Sequence, residues 1–101
     1  MAHAFKTAAH ETLTGTRTLT LAEVRTTAIW AFDPGGAGRD VVLPNASTAV
    51  GQFLVIANLA DAAEVLTIKA DSATVCTPTQ AETAVLFCTG TTWVGIAGAN
   101  S

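Results

Sequence analysis

The side chains that could act as nucleophiles or metal ligands are few and widely spaced in this chain. Cys76 and Cys88 are the only cysteines, and at twelve positions apart they match neither a CxxC redox motif nor a zinc-ligand pattern. The two histidines, His3 and His10, lie near the N-terminus, far in sequence from both thiols. A Cys–His nucleophile pair is not indicated, and we predict no catalytic residue and no metal site.

The two thiols leave a structural question open. Cys76 and Cys88 could form a disulfide if they faced each other on neighbouring strands. A chain made in the cytoplasm normally keeps such thiols reduced, as small buried side chains. We therefore favour free thiols over a bond.

Other polar groups that could do chemistry lack the context it requires. Ser47, Ser72 and Ser101 fall in a predicted turn, loop and tail without a GxSxG elbow, so a small hydrolase is only a third hypothesis. Asp61 and Glu64 could pair for acid–base work or cation binding, but a solvated loop is the simpler interpretation, and calcium needs more oxygen ligands.

The segment Gly35–Asp40 is rich in glycine, like a loop that cradles phosphate. It lacks the Gly-Lys-Ser/Thr ending, and no strand–loop–helix context surrounds it. We interpret it as a mobile loop between strands, built from residues that tolerate positive φ, and we expect no cofactor.

Composition excludes some partners and favours others. The 101 residues are 50% hydrophobic and 13% charged, with a net charge of −3, and the few cations are not clustered. Nucleic-acid binding normally needs a positive stripe, so we expect none. No apolar run approaches the roughly 18 residues needed to cross a bilayer, so we expect no membrane span. Such an apolar composition in a small domain indicates that part of its surface contacts another protein.

The elements that must position these residues are short strands. Period-two alternation, turn signals containing Gly or Pro, and the lack of a long helical pattern predict about eight strands, in a small all-β sandwich or jelly-roll-like domain over residues 17–101. Residues 1–16 show neither the periodicity of a helix nor the alternation of a strand, and they are predicted to form an N-terminal arm. Only 10–17 and 59–65 could contain a helical turn.

Gln52–Asn58 is the best candidate for the centre of the fold. It is apolar at consecutive positions, which is typical of a strand covered on both faces. Side chains expected mostly in the core or a subunit interface come from this strand and its neighbours: Phe53, Val55, Ile56, Leu66, Ile68, Leu86 and Trp93.

The aromatic residues allow two interpretations. Trp30, Phe32 and Trp93 could form a platform that stacks on sugars, but aromatic side chains on strands more often pack in a core or interface. Phe5 stands alone in the predicted arm, where a neighbouring subunit could cover it. The residues expected to contact a partner are Phe5, Lys6, Arg17, Arg25, Trp30 and Arg39.

The order of Arg17–Leu21, Arg39–Pro44, Gly51–Asn58 and Val65–Ile68 resembles that of small bacteriophage head decoration proteins, also called cement proteins, and of related β modules of phage fibres. The similarity covers residues 17–96 and rests on a strand pattern, without a chemical motif. It implies a jelly-roll-like domain that self-associates on the outer surface of an icosahedral shell. No catalytic residues come with it.

We therefore expect a structural protein, not an enzyme, on the outer capsid surface of the virion. Its partners would be the major capsid protein and itself, as a dimer or trimer, and its function would be to add buried area across capsomer boundaries. The alternative is a tail-fibre or spike module that binds a receptor or glycan through Trp30 or Trp93 and the Gly35–Arg39 loop.

Overall fold

A computed structural model describes residues 5–100 as two β-sheets packed against each other, which confirms the predicted all-β class. The elements follow in chain order as β1 (Glu11–Thr12), β2 (Arg17–Thr18), α1 (Leu21–Thr26), β3 (Ile29–Asp33), β4 (Arg39–Val42), a 3-10 helix (Ala46–Thr48), β5 (Phe53–Asn58), β6 (Leu66–Ala70), β7 (Ala73–Cys76), β8 (Glu82–Cys88) and β9 (Trp93–Ala99).

The first six strands alternate between the two sheets. One sheet has five strands in the order β1-β3-β5-β8-β9, and the other has four in the order β2-β4-β6-β7. Strands β1, β3 and β5 are parallel, as are β2, β4 and β6. Parallel neighbours need a crossover, and each passage to the opposite sheet and back supplies one. The first six strands thus form three successive coils, followed by the antiparallel strands β7, β8 and β9.

This connectivity differs from the jelly roll expected from the sequence. Jelly rolls are built from antiparallel strands. Among residues 5–100, four of the seven strand pairings are parallel. Alternation along a strand is the same whichever way its neighbour runs, so the sequence pattern indicates the class without fixing the direction of pairing.

The expected N-terminal arm contributes to the five-stranded sheet within residues 6–13. β1 pairs with β3, and the backbone N–H of Ala8 donates to the carbonyl of Ile29 at 2.9 Å. Leu13 is buried in the core. Residues 1–4 of the expected arm lie outside the described residues. A two-residue strand is too short to show alternation, which is why the pattern did not reveal it.

Helix α1 lies outside the two segments, 10–17 and 59–65, in which the sequence allowed a helical turn. The Thr20 hydroxyl accepts from the N–H of Glu23 at 3.2 Å, and the Glu23 carboxylate accepts from the N–H of Thr20 at 2.9 Å. This reciprocal pair is a capping box, whose Thr-x-x-Glu spacing is present in the sequence. Val24 fixes the helix by packing into the core.

The core lies between the inner faces of the two sheets. The predicted core residues Ile56, Leu66, Ile68, Leu86 and Trp93 are buried there. Phe53 and Val55 instead point to the outer face of β5, because they alternate with the buried Leu54 and Ile56. The other large buried side chains include Leu19, Phe32 and Val41.

Asn58 is a buried polar residue that holds the connection from β5 to β6. Its side-chain N–H groups donate to the carbonyls of Glu64 at 2.9 Å and Pro78 at 3.0 Å, and its side-chain oxygen accepts from the N–H of Ala60 at 2.9 Å. A buried amide with its donors and acceptor satisfied stabilises one path for the loop.

Candidate functional site

The outer face of the five-stranded sheet is covered by apolar side chains. Strand register places Phe53 beside Phe87, Val55 beside Val85, and Val85 beside Ile96. We name this surface the apolar face and define it by eleven uncharged outward positions: Ile29, Ala31, Phe53, Val55, Ala57, Thr83, Val85, Phe87, Val94, Ile96 and Gly98. Asp33, at the end of β3, is a charged outward position of the same sheet and borders this face.

Several side chains of the apolar face are open to solvent. Ile96 is 73% exposed and Phe87 is 47% exposed, while Phe53, Val85 and Val94 are also classed as exposed. Their neighbours along each strand point into the core, so alternation forces them outward. Isolated exposed apolar residues are ordinary, whereas contiguous apolar surfaces are often found where a protein contacts another molecule.

A shallow groove of about 400 Å³ lies at one end of the apolar face, and we name it the basic corner. Phe5, Lys6, Arg25 and Phe53 line it, so three of the six predicted partner contacts come together here. Phe5 is 65% exposed, and its ring centroid lies 5.7 Å from that of Phe53. Helix α1 carries Arg25 in its last turn.

The other predicted contacts are engaged within the chain. The guanidinium of Arg17 forms ion pairs with Glu23 at 2.9 Å and Glu11 at 3.0 Å, and it lies 5.6 Å from the centre of the Trp30 ring. The hydrogen bond to Glu23 raises the pKa of Arg17, and the same bond lowers the pKa of Glu23 to about 2. Arg39 donates to the carbonyl of Pro34 at 2.8 Å.

The tryptophans do not form a sugar-stacking platform. Trp30 and Trp93 are each 5% exposed. Their ring N–H groups donate to the carbonyls of Thr27 at 3.1 Å and Pro44 at 2.8 Å, which is typical of packed tryptophan. The stacking surface required by the glycan-binding alternative is therefore missing from these two residues.

The glycine-rich loop forms hydrogen bonds and close contacts with other residues of the chain. The N–H of Gly35 donates to the Asp33 carboxylate at 3.0 Å, and Gly35 has a φ of +78° with Leu13 packed close to its Cα. The arrangement is a tight turn between the sheets. The loop thus has a structural role in positioning β4.

Three carboxylates lie close together at the end of β3. Ligand oxygens of Asp33, Asp61 and Glu64 lie within 4.8 Å of one another, and Oε1 of Glu64 is buried without a hydrogen-bond partner among the described residues. The sequence paired Asp61 with Glu64 but missed Asp33, which is distant in sequence. Three carboxylates fall short of the six to eight oxygens that calcium takes.

The thiols are free in the structure. Cys88 is buried and its Sγ–H donates to the carbonyl of Ala46 at 3.3 Å, while Cys76 is partly buried. Burial raises the pKa of the Cys76 thiol, which makes it a weaker nucleophile at neutral pH. Among the predicted candidates, His10, Ser47 and Ser72 are exposed, and His3 and Ser101 lie outside the described residues.

Comparison with known proteins finds no matching family model, no similar curated protein and no similar solved structure. Within residues 5–100, no helix is long and apolar enough to cross a membrane. Two surfaces of the described residues are suited to binding macromolecules, the apolar face and the basic corner.

Proposed function

We propose that this chain is a non-enzymatic structural protein of a bacteriophage head, a decoration protein that binds the outside of the capsid and stabilises contacts between major capsid subunits. The observation that carries the proposal is the basic corner, where an exposed aromatic side chain and two cations line the same groove. The resemblance of the strand pattern to decoration proteins supports the assignment to a phage head.

The basic corner collects positive charge in a chain of net charge −3. Arg17 and Lys69 are in ion pairs with carboxylates, whereas Lys6 and Arg25 form none with another residue in the 5–100 range. Arginine and aromatic residues often dominate binding energy at interfaces. The corner therefore suits a partner surface with an apolar pocket bordered by acidic side chains.

The backbone beneath the corner is already ordered. The carbonyl of Lys6 accepts from the N–H groups of Ala28 at 3.0 Å and Ile29 at 3.1 Å. Phe5 and Lys6 thus start from a fixed path, and binding does not require ordering of a free arm, which would cost about 1–2 kcal/mol per residue. A preordered corner favours attachment to a rigid shell.

Decoration acts mechanically. A protein interface of standard size buries about 1,200–2,000 Å², and repetition over a lattice multiplies the effect of each copy. A subunit that bridges neighbouring capsid subunits raises the free energy needed to separate them.

Co-sedimentation with expanded phage heads that lack the chain tests this proposal. The protein should bind in a saturable manner and raise the temperature at which the heads open. Lys6→Gln combined with Arg25→Gln should weaken binding about tenfold or more, since both charges would be lost at the contact.

The matched control is Lys69→Gln, which removes a cation from the other sheet. It should bind heads as the unmodified chain does. The proposal is contradicted if the unmodified chain does not bind, or if the corner variant and the control bind equally well.

A further inference from the structure

Strand β5 has the sequence pattern of a strand covered on both faces, but among residues 5–100 a second sheet covers only one of them. Leu54 and Ile56 are buried against the four-stranded sheet, while Phe53 and Val55 lie on the apolar face. Strands with apolar residues on both sides normally lie between two layers. The second layer is therefore expected from outside the chain.

We propose that a second copy of this chain supplies that layer, with the two apolar faces packed against each other around a two-fold axis. Sheets pack face to face about 10 Å apart, with interdigitating side chains. The inference goes beyond attachment to a capsid, which we assign to the basic corner.

The available area approaches what a dimer needs. The exposed fractions of Phe53, Val85, Phe87, Val94 and Ile96 correspond to roughly 450 Å² of accessible surface, given about 150–250 Å² for a whole aromatic side chain. Two copies would together bury about 900 Å² from these side chains, and the partly exposed positions of the apolar face bring the total towards about 1,200 Å², the lower end of standard stable interfaces.

The apolar face also has a protruding and a recessed part, as a self-complementary surface requires. Ile96 projects as its most exposed side chain. A groove of about 430 Å³ runs beside it, lined by Thr83, Val85 and Gly98, where small residues leave room. A two-fold axis brings the same patch of both copies together, so Ile96 of each copy can enter the groove of the other.

Charge favours a copy of the same chain over a charged partner. The eleven positions of the apolar face carry no charge, so two copies can meet there without repulsion despite the net charge of −3. Charged groups lie only at its borders, at Asp33 and in the basic corner, so a partner selected by charge would find no complementary group at the eleven positions themselves.

Sedimentation equilibrium of the full chain, from about 1 to 100 µM, tests the proposal. The mass should approach twice 10.3 kDa at the upper end. Ile96→Lys and Phe87→Lys should each raise the dissociation constant on the order of 100-fold, because the ammonium group would be buried without a partner. Circular dichroism should show both variants folded, and Ile96→Ser gives a milder test if a lysine variant does not fold.

The control is Val50→Lys, since Val50 is 64% exposed and lies in the turn before β5, off the apolar face. It should dimerise normally. A monomeric unmodified chain over the whole range, or dimers equally sensitive to Val50→Lys and Ile96→Lys, would overturn the proposal. Head binding is not the readout, so a monomer that binds heads rejects only the second copy, and a dimer that does not bind heads rejects only the capsid function.

Discussion

The two sheets share one core but differ in their outer faces. On the four-stranded sheet, Thr67 and Lys69 alternate with buried residues, and the ammonium group of Lys69 donates to the Asp40 carboxylate at 2.9 Å. On the five-stranded sheet the corresponding outward positions of β8 include Val85 and Phe87. One sheet presents polar groups to water, and the other presents hydrocarbon.

This difference shows that overall composition does not explain the apolar face. A sheet with one hydrated face normally alternates apolar and polar residues, and β6 does so. The same chain abandons that alternation in β5, β8 and β9. The apolar residues are concentrated on one surface, as expected for a site where protein meets protein.

The largest effect should come from removing residues 1–16, which deletes β1 from the five-stranded sheet and leaves β2 in place. We expect the free energy of unfolding to fall by about 4 kcal/mol or more, because the loss of buried Leu13 alone costs about 2–5 kcal/mol. The whole free energy of unfolding of a domain is only about 5–15 kcal/mol. Urea unfolding followed by circular dichroism measures the loss.

Phe5→Ala is the matched control for this truncation, because Phe5 is exposed and its loss should reduce stability by less than about 1 kcal/mol. If the truncated chain kept the unfolding midpoint of the full chain, β1 would be dispensable. The segment would then be the free arm that the sequence pattern indicates.

The second prediction compares the loss of stability when two neighbouring residues of β5, which point to opposite faces, are each replaced by alanine. Ile56 is fully buried, so Ile56→Ala should cost about 2–5 kcal/mol, whereas Val55→Ala on the apolar face should cost less than about 1 kcal/mol. Urea titrations at concentrations low enough to keep the chain monomeric give both values. Equal losses would show that the two faces of β5 are equally covered within one chain.

The sequence predicts the core more reliably than the pairing of the strands. Alternation identified Ile56, Leu66, Ile68 and Leu86 because a buried side chain every second position leaves a strong pattern. The sequence within each strand does not indicate that β1, β3 and β5 run parallel, because the direction of pairing depends on the path of the connection between the strands. The Thr20 to Glu23 capping box was visible, but the Thr–Leu alternation beside it favoured a strand.

The candidate site was predictable in part. Phe5, Lys6 and Arg25 were expected to contact a partner, and the fold places them around one groove although Arg25 is far along the chain. Arg17 and Trp30 were expected there too, but they contact each other inside the chain. Exposure of Phe87 and Ile96 was missed, because a strand that is apolar on both sides does not reveal which side faces the core.

The smallest effect concerns the polar contacts that join β2 to helix α1 beside the four-stranded sheet. The Arg17 guanidinium, followed by the N–H of Thr20, lowers the pKa of Glu23 from 4.5 to about 2. A carboxyl group with a lowered pKa in the folded state stabilises fully above its unfolded pKa, and this contribution is lost as the pH falls from about 5 to about 2. Glu23 has a side chain 33% exposed, so solvent screening limits the contribution to about 1 kcal/mol.

The difference in unfolding free energy between the unmodified chain and Glu23→Gln should therefore be about 1 kcal/mol near neutral pH and close to zero near pH 2. Urea titrations across this range isolate Glu23 from the other carboxylates, because both chains share them. A difference that did not shrink in acid would mean that the Arg17–Glu23 ion pair does not stabilise this side of the molecule.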